Sequence, residues 1–80
     1  MTSMDIGMMW FDGDNRNSLR QRIDRAAKYY QDKYGRQPTV CFVNPDTAGE
    51  KPPVLEGMKL QTSLSVLPDH FWLGVRQESD

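Results

Sequence analysis

The sequence has few of the residues that mark secreted, membrane or zinc-binding proteins. It contains a single cysteine, Cys41, and a single histidine, His70. One cysteine cannot form an internal disulfide, which argues against the disulfide-stapled secreted class and leads us to expect a cytoplasmic protein. No apolar run approaches the ~20 residues of a membrane span. Residues 1–10 lack the basic and apolar blocks of a secretory signal, so we predict no membrane association.

Motifs of common enzyme classes are also missing. The chain has no P-loop and no GxGxxG, CxxC or GxSxG pattern. One cysteine and one histidine cannot build a zinc site without carboxylates, and Cys41 lacks the sequence context of a catalytic nucleophile. We expect Cys41 to be a small buried residue of a strand. The sequence therefore favours a non-enzymatic protein over an enzyme, and we predict no cofactor.

The length of 80 residues predicts one small α+β domain over residues 1–80. A chain of this size buries only about 60% of its unfolded surface, so its core is thin. No disulfide adds stability to that core. A homodimer that shares an interface is therefore left open as a second state.

The clearest local pattern is an amphipathic helix over residues 16–34. Ser18 and Gln21 have capping-box spacing, Gly35 suits the left-handed helix terminus, and Pro38 prevents continuation. Apolar residues recur at the spacing of one helix face, at Leu19, Ile23, Ala26, Ala27, Tyr30 and Tyr34.

Short apolar runs on both sides of this helix predict a sheet. We predict strands at 6–11, 39–43, 58–61 and 70–75, with a short strand or extended crossing at 64–67. The two strands that flank the helix should run parallel, and the later strands antiparallel. Residues 45–57 contain three prolines and two glycines and predict a flexible loop, and residues 77–80 a polar tail. The predicted fold is a β-α-β-β-β arrangement, with one helix on one face of a three- to five-stranded mixed sheet.

One helix can cover only one face of such a sheet. The predicted strands carry several large aromatic residues, among them Trp10, Phe42, Phe71 and Trp72. They cannot all lie under the helix, so we expect an interaction surface that includes Trp10 and Trp72. The 45–57 loop, a second subunit and solvent are the candidates for covering the other face.

The basic charge is concentrated on the helix. Residues 16–36 include seven basic and two acidic residues, a balance of +5 on a chain of net charge −1, so the remainder sums to −6. Five side chains fall on one flank beside the apolar face, and we call them the basic flank: Arg22, Arg25, Tyr29, Lys33 and Arg36.

The basic flank could follow a phosphate backbone, with the tyrosine stacked on a base. Four phosphate contacts imply about a hundredfold loss of affinity between about 50 and 200 mM salt, so we expect weak binding. The alternative is a solvated helix face that pairs with acidic groups on a partner or on the domain itself.

The run from Asp12 to Asn15 superficially resembles a calcium loop. An EF-hand needs an oxygen ligand and a glutamate where this chain has Arg16 and Ile23, so we reject that interpretation. A magnesium site that uses Asp12 and Asp14 stays open beside the simpler role of turn and helix capping.

These observations lead us to expect a small non-enzymatic protein-interaction or accessory module that binds a protein partner or itself. The first alternative is a weak nucleic-acid-binding accessory protein that uses the basic flank of helix 16–34. The second alternative is a small metal-dependent activity near Asp12, Asp14 and His70.

Overall fold

The computed structural model describes residues 7–75, which form a mixed sheet, one long helix and one short helix. In chain order the elements are β1 (Met8–Phe11), α1 (Leu19–Tyr34), β2 (Val40–Val43), α2 (Pro45–Ala48), β3 (Lys59–Thr62) and β4 (His70–Gly74). The predicted α+β class is confirmed. Ile6 of the predicted first strand and the predicted tail at 77–80 lie outside the described residues.

The long helix begins and ends where local sequence signals place it. The Ser18 hydroxyl accepts a hydrogen bond from the Gln21 amide, and the Gln21 side chain accepts one from the Ser18 amide, which completes the predicted capping box. Gly35 adopts the left-handed conformation with φ 76°, and its amide donates to the Gln31 carbonyl. The helix starts three residues later than predicted, at Leu19 instead of residue 16.

The strand order is β1-β4-β2-β3, so β1 and β3 form the two edges. β4 pairs antiparallel with both β1 and β2. β1 and β2 therefore run in the same direction, as predicted, but β4 lies between them. β3 pairs parallel with β2, so β3 and β4 run in opposite directions without being neighbours.

The two faces of the sheet carry separate hydrophobic clusters. The larger cluster lies under α1, and its buried members are Met8, Ile23, Ala26, Tyr30, Cys41, Val43, Ala48, Phe71 and Leu73. The opposite face holds Val40, Val66 and Trp72, with Phe42 packed against them. The expectation that aromatic residues divide between the faces is therefore met by Phe71 on one side and Trp72 on the other.

The cover of the opposite face comes from Val66, in the connection between β3 and β4. The 45–57 segment, which was one candidate for that cover, instead adds Ala48 and Leu55 to the cluster under α1. The predicted strand or crossing at 64–67 is wrong, because these residues form turns in which Val66 alone is buried.

The prediction of a continuous loop over residues 45–57 is also wrong, because α2 occupies its first four residues. Asn44 caps this helix by accepting a hydrogen bond from the Asp46 amide at 2.8 Å. The same side chain donates to the Val66 carbonyl at 2.8 Å, which ties the two connections together. Within residues 7–75, no helix has the length and apolar character required to cross a bilayer.

Candidate functional site

Among residues 7–75, no strand lies beside the main-chain groups at the outer edge of β1. β4 is its neighbour on one side, and the Asp12 amide donates to the Asp69 carbonyl at 3.0 Å. Because main-chain groups alternate in direction along an antiparallel strand, Asp12, Trp10 and Met8 point toward β4. The amides and carbonyls of Met9 and Phe11 therefore point toward the free edge.

The side chains of the same two residues form an exposed apolar surface. Met9 is 51% exposed and Phe11 is 64% exposed. Both lie on the face opposite α1, where Met9 pairs with Trp72, and the Phe11 ring lies 5.0 Å from the His70 ring. The free main-chain groups and the exposed apolar side chains thus belong to the same residues.

The two tryptophans predicted for an interaction surface lie on different faces of the sheet. Trp72 is buried, with its indole 5.8 Å from the Phe42 ring, and Gly7 packs directly over it. Trp10 is half-buried on the α1 side, where its ring centroid lies 4.8 Å from that of Tyr29. The structure therefore brings Trp10 to the basic flank, and the exposed apolar residues beside it are Met9 and Phe11.

Arg22, at the inner end of the basic flank, is buried against the end of β1. Its Nη1 donates to the Asp12 carbonyl at 3.2 Å and to Asp69 Oδ1 at 3.2 Å. Its guanidinium carbon lies 5.9 Å from the centre of the Phe71 ring, and its buried Nε has no hydrogen-bond partner. Arg22 therefore anchors α1 to the sheet, and its charge faces Asp69.

Arg25 is also held by an acidic residue, but it remains half exposed. Its Nη1 lies 3.5 Å from Asp12 Oδ2, and 51% of its side chain is exposed to solvent. The other Asp12 oxygen accepts a hydrogen bond from the Asp14 amide at 3.0 Å. The Asp12 carboxylate thus fixes the loop after β1 and orients Arg25 along the edge of that strand.

The outer half of the basic flank is exposed. Tyr29, Lys33 and Asp32 line a shallow open depression on α1. Asp32 lies 3.9 Å from Lys28, whereas neither Lys33 nor Arg36 has an acidic partner within ion-pair distance among residues 7–75. The flank therefore divides into two held arginines and an exposed outer part. The predicted place of Arg36 on this helix flank is wrong, because the helix ends at Tyr34 and the left-handed Gly35 turns the chain before residue 36.

The residues of the expected metal site are committed to other contacts. The Asp14 carboxylate accepts hydrogen bonds from Arg16 and Asn17, and the Arg16 side-chain contact holds the Asp14 pKa below its usual value. His70 contacts the Pro68 carbonyl at 2.8 Å through Nδ1. In the described part of the chain, no group of three or more acidic, histidine or cysteine side chains could hold a metal ion.

Cys41 and His70 do not form a catalytic pair. Cys41 is fully buried in the cluster under α1, as predicted, whereas His70 packs against Phe11. Burial raises the pKa of the Cys41 thiol to about 12, so the group stays neutral at physiological pH. A neutral enclosed thiol is a poor nucleophile, which makes Cys41 a core residue.

The sequence predicted the basic flank as a candidate surface and did not single out Met9, Phe11 or Asp69. An apolar run such as 8–11 is typical of any strand, and its place at an edge depends on β4, which follows some sixty residues later in the chain. Asp69 carried one local signal, since Pro68-Asp69 predicts a turn. Its φ of 62° fits that turn, but its partner Arg22 lies 47 residues away in sequence.

In comparisons with protein-family models, with curated proteins and with solved structures, no match to this chain is found.

Proposed function

We propose that this protein is a small interaction module that binds an extended segment of a partner protein as a fifth strand along β1. The observation that supports the proposal is that the main-chain groups of Met9 and Phe11 face an edge with no strand beside it in the described part of the chain, and that the side chains of both residues are apolar and exposed. Strand addition of this kind draws affinity from main-chain hydrogen bonds and specificity from alternate side chains.

The geometry of the edge fits such a partner. A strand added beside β1 would exchange hydrogen bonds with Met9 and Phe11, and every second side chain of the added strand would lie on their apolar face. Burial of these two side chains would contribute to the binding free energy roughly 25 cal/mol for each Å² of apolar surface removed from water. A metal-dependent activity has less support than strand addition, because the Asp12 carboxylate is paired with Arg25 and the Asp14 carboxylate with Arg16.

Hydrogen exchange measured by NMR tests the proposal directly. The probe is a heptapeptide in which valine alternates with glutamine, acetylated and amidated at its ends. We expect the Met9 and Phe11 amides to become at least tenfold better protected when the peptide binds. The internal control is the β3 edge, whose outward amides are those of Leu60 and Thr62, because Lys59 and Ser63 donate to the Thr39 and Val43 carbonyls of β2.

A matched pair of lysine substitutions separates the two edges. Met9→Lys puts a charge on β1, and Gln61→Lys puts one at the other end of the same row of residues across the sheet. We expect M9K to weaken peptide binding at least tenfold and Q61K to change it less than twofold. Both positions are partly exposed, so each variant should keep its stability within about 0.5 kcal/mol.

Three results would count against the proposal. No added protection of Met9 and Phe11 with any alternating peptide would exclude strand addition. Equal loss of binding in M9K and Q61K would mean that binding does not involve the β1 edge. A sedimenting dimer that M9K dissociates and Q61K leaves intact would assign the same edge to a second copy of this chain.

A further inference from the structure

The basic flank lies beside the free edge of β1, on the α1 side of the sheet. Two contacts establish this placement, since Arg25 lies 3.5 Å from Asp12 and the Tyr29 ring lies 4.8 Å from that of Trp10. Position 25 is thus near the end of β1, and position 29 is near its middle. Lys33 continues the same helix flank toward the start of the strand, whereas Arg36 lies beyond the helix, which ends at Tyr34 and is followed by left-handed Gly35.

An added strand would meet two different chemical surfaces. Successive side chains of a strand point to opposite faces of a sheet. Those on one face would lie beside Met9 and Phe11, which are apolar and exposed. Those on the other face would point toward the side of the sheet that carries the basic flank.

The flank surface is positive where the partner would lie. Lys33 has no acidic partner within ion-pair distance among residues 7–75, and its Nζ lies 5.4 Å from the centre of the Tyr34 ring. Arg25 is paired with the buried Asp12 carboxylate, but half of the arginine side chain faces solvent. The negative charge of Asp32 lowers the positive potential at the shallow depression, but Lys28 lies 3.9 Å from the Asp32 carboxylate and offsets this charge. Among the described residues on this side of the edge, three cations (Arg25, Lys28 and Lys33) stand against two carboxylates (Asp12 and Asp32), which leaves a net charge of +1.

This charge disfavours a second copy of the chain as the occupant. Antiparallel pairing of β1 with β1 of another copy would place two helices on the same face, with their basic flanks toward each other. Like charges opposed in this way cost free energy, whereas an acidic segment would gain it. Both faces of such a segment would find complementary neighbours. Its acidic side chains would lie toward the flank, and its apolar side chains would lie toward Met9 and Phe11.

We infer that the partner strand is acidic, with carboxylate side chains at every second position and apolar side chains between them. This inference rests on the proposed function, and it adds the chemistry of the partner. Exposed charges of this kind contribute to specificity and to the association rate more than to affinity. Because salt screens them, the preference for an acidic partner should weaken strongly as the salt concentration rises.

Three heptapeptides of one pattern test the inference. Each alternates valine with a second residue, which is glutamate in the first peptide, glutamine in the second and lysine in the third. At about 50 mM salt we expect the glutamate peptide to bind at least tenfold more tightly than the lysine peptide, with the glutamine peptide between them. A control peptide has the composition of the glutamate peptide, but its valines are grouped together and so are its glutamates. It should bind weakly, because the alternation of apolar and acidic side chains is lost.

Matched charge variants locate the source of the preference. Lys33→Gln removes the flank charge that has no acidic partner, whereas Arg20→Gln removes an exposed charge elsewhere on α1. We expect the flank variant to reduce the preference for glutamate over glutamine to within twofold. The control variant should keep most of it. Both positions are exposed, so both variants should remain folded.

The possible failures are distinguishable. If the glutamate and glutamine peptides protect Met9 and Phe11 equally in every variant, the acidic partner is wrong and strand addition stands. If no peptide protects these amides, the proposed function itself fails. If a labelled oligothymidine binds and displaces the glutamate peptide in wild type and in M9K alike, the flank recognises a polyanion, and the inference is overturned.

Discussion

The two edges of the sheet are chemically different, although both are short strands of the same mixed sheet. β3 presents Lys59, Gln61 and Thr62, and β1 from Met8 to Phe11 contains no charged or amide side chain. Lysine on an edge strand is a common means of preventing another strand from pairing there. β3 is protected in this way, whereas β1 leaves Met9 and Phe11 exposed.

This contrast is a property of the strand sequences, since the positions are equivalent. Met9, Trp72, Phe42 and Gln61 form one row across the sheet, on the face opposite α1. The inner two residues pack on each other, and the outer two end the row at the edges. The row therefore ends in an exposed methionine on β1 and in a glutamine on β3, which is the contrast on which the proposed strand addition to β1 depends.

The largest expected effect comes from Gly7→Ala, which should loosen β1 and leave β3 in place. A Cβ at Gly7 would lie 2.1 Å from Cζ2 of Trp72, far inside normal contact distance. Because Trp72 is buried, its ring cannot move away without disturbing the row. We expect a loss of about 3 kcal/mol in the free energy of unfolding, measured by urea denaturation.

Gly13→Ala is the control for that substitution. Its Cβ would lie 3.2 Å from Cζ of Phe11, the end of an exposed ring that can rotate. The expected loss is below about 1 kcal/mol. Equal stability of G7A and wild type would show that the packing of Gly7 on Trp72 does not hold β1 in place.

The next effect is a loss of folding stability at alkaline pH. It originates in β2, an inner strand, and therefore gives a stability change that depends on neither edge. The Cys41 pKa is raised by burial from 9.0 to about 12. The unfolded thiol ionises first as pH rises, so its contribution to stability is complete below pH 9 and falls between 9 and 12. Raising the pH from about 8.5 to about 10.5 should cost about 2 kcal/mol through this group.

Cys41→Ala isolates that contribution from the other groups that titrate at alkaline pH. The variant will be less stable at every pH because it leaves a small cavity. Its loss between the two pH values should be smaller than that of wild type by about 2 kcal/mol. Parallel pH profiles for the two proteins would contradict the assignment of this effect to the thiol.

The helix and the strands could be predicted from sequence because their signals are local. Ser18, Gln21 and Gly35 mark the ends of α1, and the spacing of its apolar residues gives its buried face. α2 could not be predicted in this way. Its four residues are held by Asn44, whose side chain reaches the Val66 carbonyl 22 residues away, while the proline-rich composition around it is typical of a loop.

The candidate site was only partly predictable for the same reason. Helical spacing placed Arg22, Arg25 and Tyr29 on one flank, and the structure keeps them together beside β1. The burial of Arg22 depends on Asp69, which folds back from the far end of the chain. Since two arginines of the flank already face carboxylates, fewer charges remain to bind phosphates than the sequence count of four suggests.

The smallest expected effect concerns the ion pair that anchors the basic flank beside β1. Among the described residues no ion pair involves β3, so this anchor belongs to one edge only. Asp69→Asn leaves the buried Arg22 guanidinium without its counterion, and asparagine tolerates the left-handed φ at this position. Because the Asp69 side chain is 42% exposed, we expect a loss of only about 1 to 2 kcal/mol.

Arg22→Met should reduce the free energy of unfolding less than Asp69→Asn does. Both substitutions break the Arg22–Asp69 ion pair, although R22M removes the whole guanidinium group. The substitution eliminates a buried charge together with the Nε that has no partner, keeps an apolar chain against Phe71, and leaves Asp69 to be solvated by water. We expect a loss below about 1 kcal/mol, and the double variant should match R22M. Urea denaturation of the three variants measures this order. If R22M proves less stable than D69N, Arg22 holds α1 mainly through its bond to the Asp12 carbonyl, and the flank is anchored to β1 by hydrogen bonding instead of charge.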